Sequence, residues 1–372
     1  MASRTKVLIA TGIAIGAALV VSLSVMLLSP SGLRIPNETS FQKDKVVVFA
    51  GIVNGTTAQI YTVNSDGTNL TNLTNEDDLS HFGPVASPDG SRIAYIVFNR
   101  FPITPSSNKT DESLYVVDAD GSNKVLLANS SNLIIGRHIW SPDGTKIAYE
   151  ADADIFVVNA DGNSDTTNVI NDGDRTTDFN PAWASNNKII FESVVFDKDK
   201  RTFTASSFKQ VDIHSGNASK LFDFDYNITG THIWSPDLNK IAFLQANNES
   251  SPTSLYIMNG DGNNQTRLTT TGELLFLGGG LTWSPDSSKI AFGTLTGIYV
   301  IDISDGSNRN LSNSQTHDSN PVWSSDGQKI AFTRIISEEE AGIYVMNLDG
   351  SGQKQVAEIK RSNVNTPLDW LS

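Results

Sequence analysis

The sequence contains no cysteine among its 372 residues. Disulfide bonds, thiolate catalysis and zinc–thiolate sites are therefore excluded. This absence does not place the protein inside a cell. It means only that any existence outside the cell is managed without disulfides.

Basic residues are scarce as well, since 27 lysines and arginines stand against 41 aspartates and glutamates, for a formal net charge of -14. A chain this acidic repels phosphates, and the short basic run at residues 198–201 is interrupted by an acid. We therefore expect no nucleic-acid partner and interpret the negative charge as a source of solubility.

A long apolar run occupies residues 7–28, which contain no charged side chain. About 20 apolar residues suffice to span a bilayer as a helix, whereas a cleaved signal typically has only about 7–15 apolar residues. The run therefore predicts an N-terminal signal anchor with one transmembrane helix over residues 1–28, in preference to a cleaved signal. Residues 29–44 are polar, contain Pro and Gly, and are predicted to be a linker.

The predicted orientation rests on two features. Arg4 and Lys6 precede the helix, and basic residues tend to remain cytoplasmic. In addition, all Asn-x-Ser/Thr sequons lie beyond the helix, and such sequons are glycosylated only in exported segments. We expect a single-pass cell-membrane protein with a cytoplasmic N-terminus and an extracytoplasmic body. The candidate N-glycosylation sites are Asn37, Asn54, Asn69, Asn72, Asn108, Asn129, Asn217, Asn227, Asn248, Asn264 and Asn310.

An internal repeat dominates the rest of the chain. All six tryptophans occupy one repeat position, in strings such as HIWSPDG at Trp140 and LTWSPDS at Trp283, and Ala86 takes that position in a seventh copy. The copies recur at intervals of 40 to 54 residues, and β-propeller blades recur at about 40–50 residues.

Each repeat contains four short segments rich in β-branched and aromatic residues, bounded by Gly, Asp and Asn, which is typical of strands. Turns such as S-P-D-G join antiparallel neighbours. The sequence therefore predicts an all-β fold over residues 45–372: a seven-bladed β-propeller with four antiparallel strands in each blade. The N-terminal copy lacks its first segment, and residues 367–372 supply it, so N- and C-terminal strands are predicted to close the ring together.

The repeated strings WSPDGxKIAF and IYVMNxDG resemble the WD40-like propeller repeats of the TolB family. They cover residues 45–372 and match best at residues 283–350. The resemblance implies a propeller fold; it does not by itself imply a function, because fold does not imply function. Similar propellers also precede the catalytic domain of prolyl oligopeptidase-like enzymes, but this sequence contains no G-x-S-x-G string for a nucleophile elbow.

The connections between the second and third segments, and between the fourth segment and the next repeat, vary in length. We call this side of the propeller the variable-loop face, and the opposite side, with its uniform tight turns, the turn face. Binding usually resides on variable loops carried by a rigid scaffold. The residues just before the first segments are expected to ring the mouth of the central channel on the variable-loop face, and the candidate binding residues there are His81, Arg137, His138, Asp178, Asn180, His232, His317 and Asp318.

The candidate residues have two interpretations. His and Asp side chains together can bind divalent ions, so the candidate residues could hold a metal or a small ligand. We favour the alternative that they are hydrogen-bonding residues that tie adjacent blades together, since spacing across blades specifies no coordination geometry. The x-D-G turns, such as the one at Asp120, lack the full calcium-loop pattern and are interpreted as hairpin turns.

The leading functional hypothesis is a membrane-anchored binding scaffold for a protein, peptide or glycan, with no catalytic residue and no required cofactor. One alternative is a propeller hydrolase or lyase with a divalent metal at the channel mouth. Another is a glycosylated structural component of the cell envelope.

Closure by the C-terminal segment gives a first prediction. Deleting residues 367–372 should abolish cooperative folding, because an open propeller exposes two unpaired strand edges. Thermal unfolding followed by circular dichroism measures this. An unchanged cooperative transition in the truncated protein would contradict the predicted closure.

Overall fold

The structure, a computed structural model, describes residues 46–53, 57–76, 78–98, 112–130, 135–170, 176–197, 202–224, 232–246, 253–269, 280–314, 317–360 and 368–371. They lie within one compact unit, Gln42–Ser372. Within these ranges the regular structure is entirely β, and no helix there is long and apolar enough to cross a membrane. The predicted transmembrane helix and linker fall outside the described residues.

The strands of the first half of the body follow the predicted segments. Their bounds are β1 (Val46–Gly51), β2 (Gln59–Asn64), β3 (Thr71–Asn72), β4 (Ser80–Ala86), β5 (Arg92–Phe98), β6 (Glu112–Asp118), β7 (Val125–Ser130), β8 (His138–Trp140), β9 (Lys146–Ala151), β10 (Asp154–Asn159), β11 (Thr167–Asn168), β12 (Thr176–Ser185), β13 (Lys188–Asp197), β14 (Thr202–Asp212) and β15 (Ala218–Asp223).

The second half repeats the same pattern. Its strands are β16 (His232–Trp234), β17 (Lys240–Ala246), β18 (Thr253–Asn259), β19 (Thr266–Arg267), β20 (Leu281–Trp283), β21 (Lys289–Thr294), β22 (Gly297–Asp302), β23 (Asn308–Asn310), β24 (Asp318–Trp323), β25 (Lys329–Ile335), β26 (Glu340–Asn347), β27 (Lys354–Lys360) and β28 (Leu368–Leu371).

The strands form an all-β propeller, but the sheets differ in one respect from the prediction of seven separate blades. The described residues form five four-stranded sheets and one eight-stranded sheet, β20–β27. The larger sheet arises because Thr294 at the end of β21 pairs with Asp318 at the start of β24. This ladder contact joins two sets of four strands that the sequence places in separate blades.

Ring closure follows the predicted arrangement. The C-terminal strand β28 pairs antiparallel with β1, with Leu371 opposite Val46 and Leu368 opposite Phe49. Asp369 of β28 also reaches the next sheet, where its Oδ2 accepts a hydrogen bond from the backbone N–H of Ala86 at 2.8 Å. Burial raises the pKa of the Asp369 carboxyl to about 6. The last described residues of the chain therefore hold two sheets together.

The first strand of each set lies at the centre, because successive first strands touch one another. Contacts join β28 to β4, β4 to β8, β8 to β12, β16 to β20, β20 to β24 and β24 to β28. Three of these inner strands, β4, β12 and β24, contain a register shift. At each shift a residue with positive φ precedes a proline, namely Gly83, Asn180 and Asn320.

A cross-strand aromatic pair recurs between the second and third strands. The two rings stack at centroid distances of 5.5 to 6.0 Å, and such pairs stabilise a sheet beyond the area that they bury. This explains the repeated Phe/Tyr of the KIAF and IYV strings. The pairs are Phe49–Tyr61, Tyr95–Tyr115, Tyr149–Phe156, Phe243–Tyr256, Phe292–Tyr299 and Phe332–Tyr344.

The conserved position of tryptophan within the repeat also has a physical reason. Four indole N–H groups each donate a hydrogen bond to a backbone carbonyl on the inner strand of the preceding set. The bonds are Trp140 to Val85, Trp183 to Ile139, Trp283 to Ile233 and Trp370 to Val322, with N–O distances of 2.9 to 3.3 Å. The rings pack between neighbouring sheets, as the sequence predicts.

One predicted loop is instead strand. The variable connection between the second and third segments of the fourth repeat covers residues 194–207, yet β13 runs to Asp197 and β14 begins at Thr202. Their pairing continues to the Asp197–Thr202 pair. This hairpin is longer than the corresponding ones in the other described sheets. Alternating Val, Phe and Thr residues in this stretch favour extended backbone, so the length of the connection was mistaken for irregularity.

The tryptophan ladder generates a prediction with a matched control. Trp283→Phe removes the indole donor of a hydrogen bond to the Ile233 carbonyl, whereas the similarly buried Trp323 has no partner for its indole N–H. Trp283→Phe should therefore lower the free energy of unfolding by about 0.5–1.5 kcal/mol more than Trp323→Phe. Urea denaturation measures both values, and equal losses would contradict the proposed role of the hydrogen bond.

Candidate functional site

The structure places the predicted channel-mouth residues at the start of the inner strands. Arg137 and His317 directly precede β8 and β24, and the other six lie within β4, β8, β12, β16 and β24. Their exposure differs: Arg137 is exposed, and Asn180 and His317 are half-buried. The remaining five are buried, namely His81, His138, Asp178, His232 and Asp318.

Asp318 is committed to an internal ion pair. Its Oδ1 accepts from Arg334 Nε and its Oδ2 accepts from Arg334 Nη2, both at 2.8 Å. The Arg334 guanidinium also lies 4.7 Å from the ring centroid of Tyr344. A bidentate pair of this kind is strong and geometrically specific, so Asp318 serves to hold β24 against β25.

His81 is likewise held by its neighbours. Its Nδ1 lies 3.3 Å from the Ala58 carbonyl oxygen and its Nε2 lies 3.3 Å from Glu76 Oε2. Lys124 in turn contacts the other oxygen of Glu76. Burial lowers the pKa of the His81 imidazole. His81 therefore ties the connection after β3 to the inner strand β4, as the hydrogen-bonding interpretation predicts.

His138 is buried and neutral at physiological pH. Burial lowers the pKa of its imidazole to about 4, and its Nε2 has no hydrogen-bond partner. The neighbouring Gly83, at φ 60°, would place a Cβ 3.3 Å from the imidazole Cε1. The ring is therefore packed closely against the backbone bulge of β4.

Arg137, Asn180 and His232 come together on one cavity of about 260 Å³. It follows the inner strands β8, β12 and β16 from their first residues to the turns that end them. Apolar residues form most of the remaining wall, namely Ile139, Trp140, Pro142, Pro181, Ala182, Trp183, Trp234, Pro236 and Leu238. This cavity contains three of the eight predicted residues.

Two carboxylates that the sequence analysis did not select complete this site. Glu150 on β9 accepts a hydrogen bond from the Asn180 backbone N–H at Oε1, 2.6 Å away. Glu192 on β13 accepts from Asn180 Nδ2 at 2.8 Å through Oε1. We call Arg137, Glu150, Asn180, Glu192 and His232 the channel-mouth network.

Glu192 links the network to His232. Its Oε2 lies 3.0 Å from His232 Nδ1, and both side chains are about 2% exposed. The imidazole is also enclosed by aromatic rings, with Phe208 and Phe224 in edge-to-face contact at 5.5 and 5.0 Å. Neither ring nitrogen makes a hydrogen bond within the described residues. The carboxylate beside Nδ1 favours the ring proton on that nitrogen, which leaves Nε2 as the lone-pair nitrogen. This assignment follows from the partner rather than from an observed hydrogen.

Local backbone geometry positions the network. Asn180 adopts φ 52° at the bulge in β12, a conformation that Asn tolerates better than most residues. Gly136 has a different constraint, since a Cβ there would lie 2.3 Å from Glu150 Oε2. The absence of a side chain at Gly136 therefore lets the Glu150 carboxylate approach the backbone N–H of Arg137 at 3.3 Å.

Charges in the network influence one another. Burial raises the pKa of Glu150, and the nearby charge of Glu192 raises it further, while hydrogen bonds and Arg137 oppose this. The protein around Arg137 lowers the pKa of its guanidinium, and Glu150 and Glu192 stabilise its positive charge. Arg137 is exposed to solvent but lies among the residues that line the channel. Its guanidinium remains cationic, because arginine keeps its proton in proteins.

The sequence did contain a signal for the two carboxylates. The fifth residue of the second segment is apolar or small in most repeats, such as Ile96 in RIAYIV and Leu244 in KIAFLQ. Glu150 and Glu192 occupy this position in two consecutive repeats. A charged residue at an otherwise buried repeat position is costly unless it is paired, and this contrast identifies both residues as functional candidates.

Metal binding finds no support in the described part of the chain, where no group of three or more His, Asp or Glu side chains is arranged to hold an ion. The turn carboxylates are occupied locally. In five S-x-D turns the Ser hydroxyl donates to the Asp Oδ1 two residues later at 2.6 to 2.7 Å. In the x-D-G turns, Asp120 accepts from the Ser122 backbone N–H at 2.9 Å. These turns are structural hairpins.

The sequons divide between described and undescribed residues. Asn69, Asn129, Asn217 and Asn264 are exposed, and Asn72 and Asn310 are half-buried. The Asn310 side chain donates a hydrogen bond from Nδ2 to the Thr296 carbonyl oxygen at 3.0 Å, which opposes its modification. The other sequons lie outside the described residues, namely Asn37, Asn54, Asn108, Asn227 and Asn248.

Comparisons with known proteins support the fold. The sequence matches no family model, and no curated protein sequence matches it. Similar solved structures include an oligogalacturonate lyase in complex with manganese, at 17% identity and a TM-score of 0.58, covering 84% of each chain. TolB from Acinetobacter baumannii is 15% identical, with a TM-score of 0.51, over 88% of this chain and 66% of TolB. The predicted TolB-type propeller is therefore confirmed as a fold.

The raised pKa of Glu150 generates a pH prediction. Between its ordinary pKa of 4.5 and its raised folded-state pKa, the folded protein binds more protons than the unfolded chain. The contribution of Glu150 to stability therefore falls as pH rises through this window. Glu150→Gln should remove that fall, as urea denaturation at a series of pH values would measure.

Asp302→Asn serves as a control of opposite sign. The side-chain hydrogen bond from Lys289 lowers the pKa of Asp302 to about 2. The contribution of Asp302 to the free energy of unfolding is therefore lost as pH falls from about 4 to about 2. Parallel stability profiles for Glu150→Gln and the parent protein above pH 4.5 would contradict the role assigned to Glu150.

Proposed function

We propose that the protein is a membrane-anchored, extracytoplasmic β-propeller that binds a protein, peptide or glycan partner at the channel mouth on its variable-loop face. The observation that carries this proposal is the cavity lined by Arg137, Asn180 and His232. It combines an apolar wall with a few convergent polar groups, which is the usual composition of a binding site. The anchor would be residues 7–28, oriented by Arg4 and Lys6.

A seven-bladed ring fits this scaffold. The eight-stranded sheet divides into β20–β23 and β24–β27, which are joined by the Thr294–Asp318 pair. Each half contains one complete copy of the sequence repeat. Counting them as two blades gives seven, with the variable connections of all seven on the same face.

An acid–base enzyme is the second candidate, because the buried His232–Glu192 pair borders the same cavity. A carboxylate-oriented imidazole is a frequent general base. The related hypothesis of a metal-dependent hydrolase or lyase requires a bound ion. Metal analysis of protein purified without chelator tests it, and less than stoichiometric metal would dismiss it. A glycosylated envelope component is the third candidate, for which the exposed sequons are the motivation.

Photocrosslinking on the two faces tests the binding proposal. Leu295 and Ile336, 48% and 41% exposed, lie between the second and third strands of their sets, on the variable-loop face. Leu70, 43% exposed, follows the tight turn after β2 on the turn face. A photoreactive amino acid at each position in the full-length chain, expressed in cells, should capture a common partner from Leu295 and Ile336 only.

Leu70 is a matched control, because it is a similarly exposed aliphatic residue on the opposite face. Capture of the same partner from Leu70 alone would overturn the proposed docking face. No capture from any position would argue against the scaffold and shift support to the enzyme or envelope candidates.

A further inference from the structure

The cavity beside the channel-mouth network contains polar groups of two kinds: those already engaged within the protein and those that face the cavity unpaired. The carboxylates belong to the first kind. Glu150 accepts from the backbone N–H groups of Asn180 and Arg137, and Glu192 accepts from Asn180 Nδ2 and approaches His232 Nδ1. Their oxygens hold the inner strands in place and are not the primary contacts for a ligand.

Arg137 belongs to the second kind. It lines the cavity and is exposed, and it takes part in none of the ion pairs between described residues. A guanidinium offers five N–H donors in a fork that matches a carboxylate. Its position near Glu150 and Glu192 keeps it charged without occupying those donors.

His232 provides a second, independent feature. The residue is 3% exposed and lines the same cavity, and its Nε2 has no hydrogen-bond partner. Because the Glu192 carboxylate lies 3.0 Å from Nδ1, the ring proton is favoured on that nitrogen and Nε2 presents a lone pair. A buried acceptor without a partner is costly, and a ligand N–H donor would relieve that cost.

The walls and the size of the cavity restrict what can enter. Ile139, Ala182 and Trp183 are among the apolar residues that line it. Its volume of about 260 Å³ is below the ~300 Å³ at which ordinary ligand pockets begin. One terminal residue of a chain therefore fits this space better than a folded loop or a long oligomer does.

We propose that this cavity binds the free C-terminal residue of a peptide or protein, with the α-carboxylate on Arg137, the last amide N–H on His232 Nε2, and an apolar side chain against Ile139 and Trp183. This assignment rests on the proposed binding function and specifies its ligand. Capture of a terminal carboxylate is an established mode of peptide recognition, and here each element of the ligand meets one complementary feature of the cavity.

Other anions match the cavity less well. An acidic sugar would bury several hydroxyl groups against the apolar wall, and each buried hydroxyl without a partner is unfavourable. A phosphate dianion would bring two negative charges close to Glu150 and Glu192. These two carboxylates thus select for a ligand with a single negative charge.

Binding of small probes to the purified full-length chain tests the proposal. The probes are N-acetyl-L-leucine, N-acetyl-L-leucinamide, D-galacturonate and inorganic phosphate, measured by ligand-observed NMR and titration calorimetry. N-acetyl-L-leucine should bind, and the amide should bind roughly 10- to 100-fold more weakly, because it lacks the charge that pairs with Arg137. Galacturonate and phosphate should bind more weakly than N-acetyl-L-leucine.

Two variants locate the interaction. Arg137→Gln should abolish the preference for the acid over the amide, with folding checked by its thermal transition. Arg309→Gln is the matched control, since Arg309 is also exposed and lines a different cavity near Asn347 and Asp349; it should retain the preference. Equal affinity for acid and amide, or an unchanged preference in Arg137→Gln, would overturn the proposal.

The remaining outcomes separate this inference from the proposed function. Arg137-dependent binding that favours galacturonate or phosphate over N-acetyl-L-leucine would replace the peptide terminus with an acidic sugar or a general anion. If no probe binds while Leu295 and Ile336 still capture a partner, the ligand assignment is wrong and the scaffold stands. If the acid binds but no partner is captured, the proposed docking face is wrong and the cavity assignment stands.

Discussion

The hydrogen bond from a tryptophan indole to the inner strand of the preceding set is the contact on which the rest of this propeller depends. A four-stranded sheet of short strands has two faces to cover, and it can do so only by packing against its neighbours. At four positions around the ring the tryptophan buries a large ring in that interface and directs its N–H to a backbone carbonyl of the neighbouring inner strand. These contacts help to set the positions of the inner strands and hence the lining of the channel.

The channel-mouth network arises from small departures from the repeat. In most copies the second strand contributes an apolar side chain where Glu150 and Glu192 stand, and the inner strand lacks the Asn-Pro bulge of β12. Two charges at buried positions require partners, and the Asn180 bulge supplies N–H groups to both. The result is a site in which the carboxylates are structural and Arg137 and His232 remain for a ligand.

The acidic character of the chain has a similar explanation. Many of the aspartates lie in the S-x-D and x-D-G turns. There, hydrogen bonds from Ser, Thr or Asn two residues earlier or later lower their pKa values, chiefly from Ser141 at Asp143, Ser284 at Asp286 and Ser122 at Asp120. The turn face is therefore rich in carboxylates that serve hairpin geometry. The negative charge that first suggested only solubility is largely a by-product of repeating the same turn.

Local patterns in the sequence determined the fold. Three local features predicted the propeller and its closure through β28: the period of the tryptophan strings, the composition of the strands and the displaced C-terminal segment. Each of these features can be recognised within a single repeat or at a chain end. The tertiary structure alone decided which charged residues are available. Asp318 was predicted to line the channel, but it is paired with Arg334. Thr294 pairs with Asp318 and so joins two sets into one sheet. Glu150 contacts Arg137 and Asn180, which lie on different strands from it. The Thr294–Asp318 and Glu150–Asn180 contacts join different sets, and the other two depend on the register between paired strands, so only the pairing and packing of the strands bring these residues together.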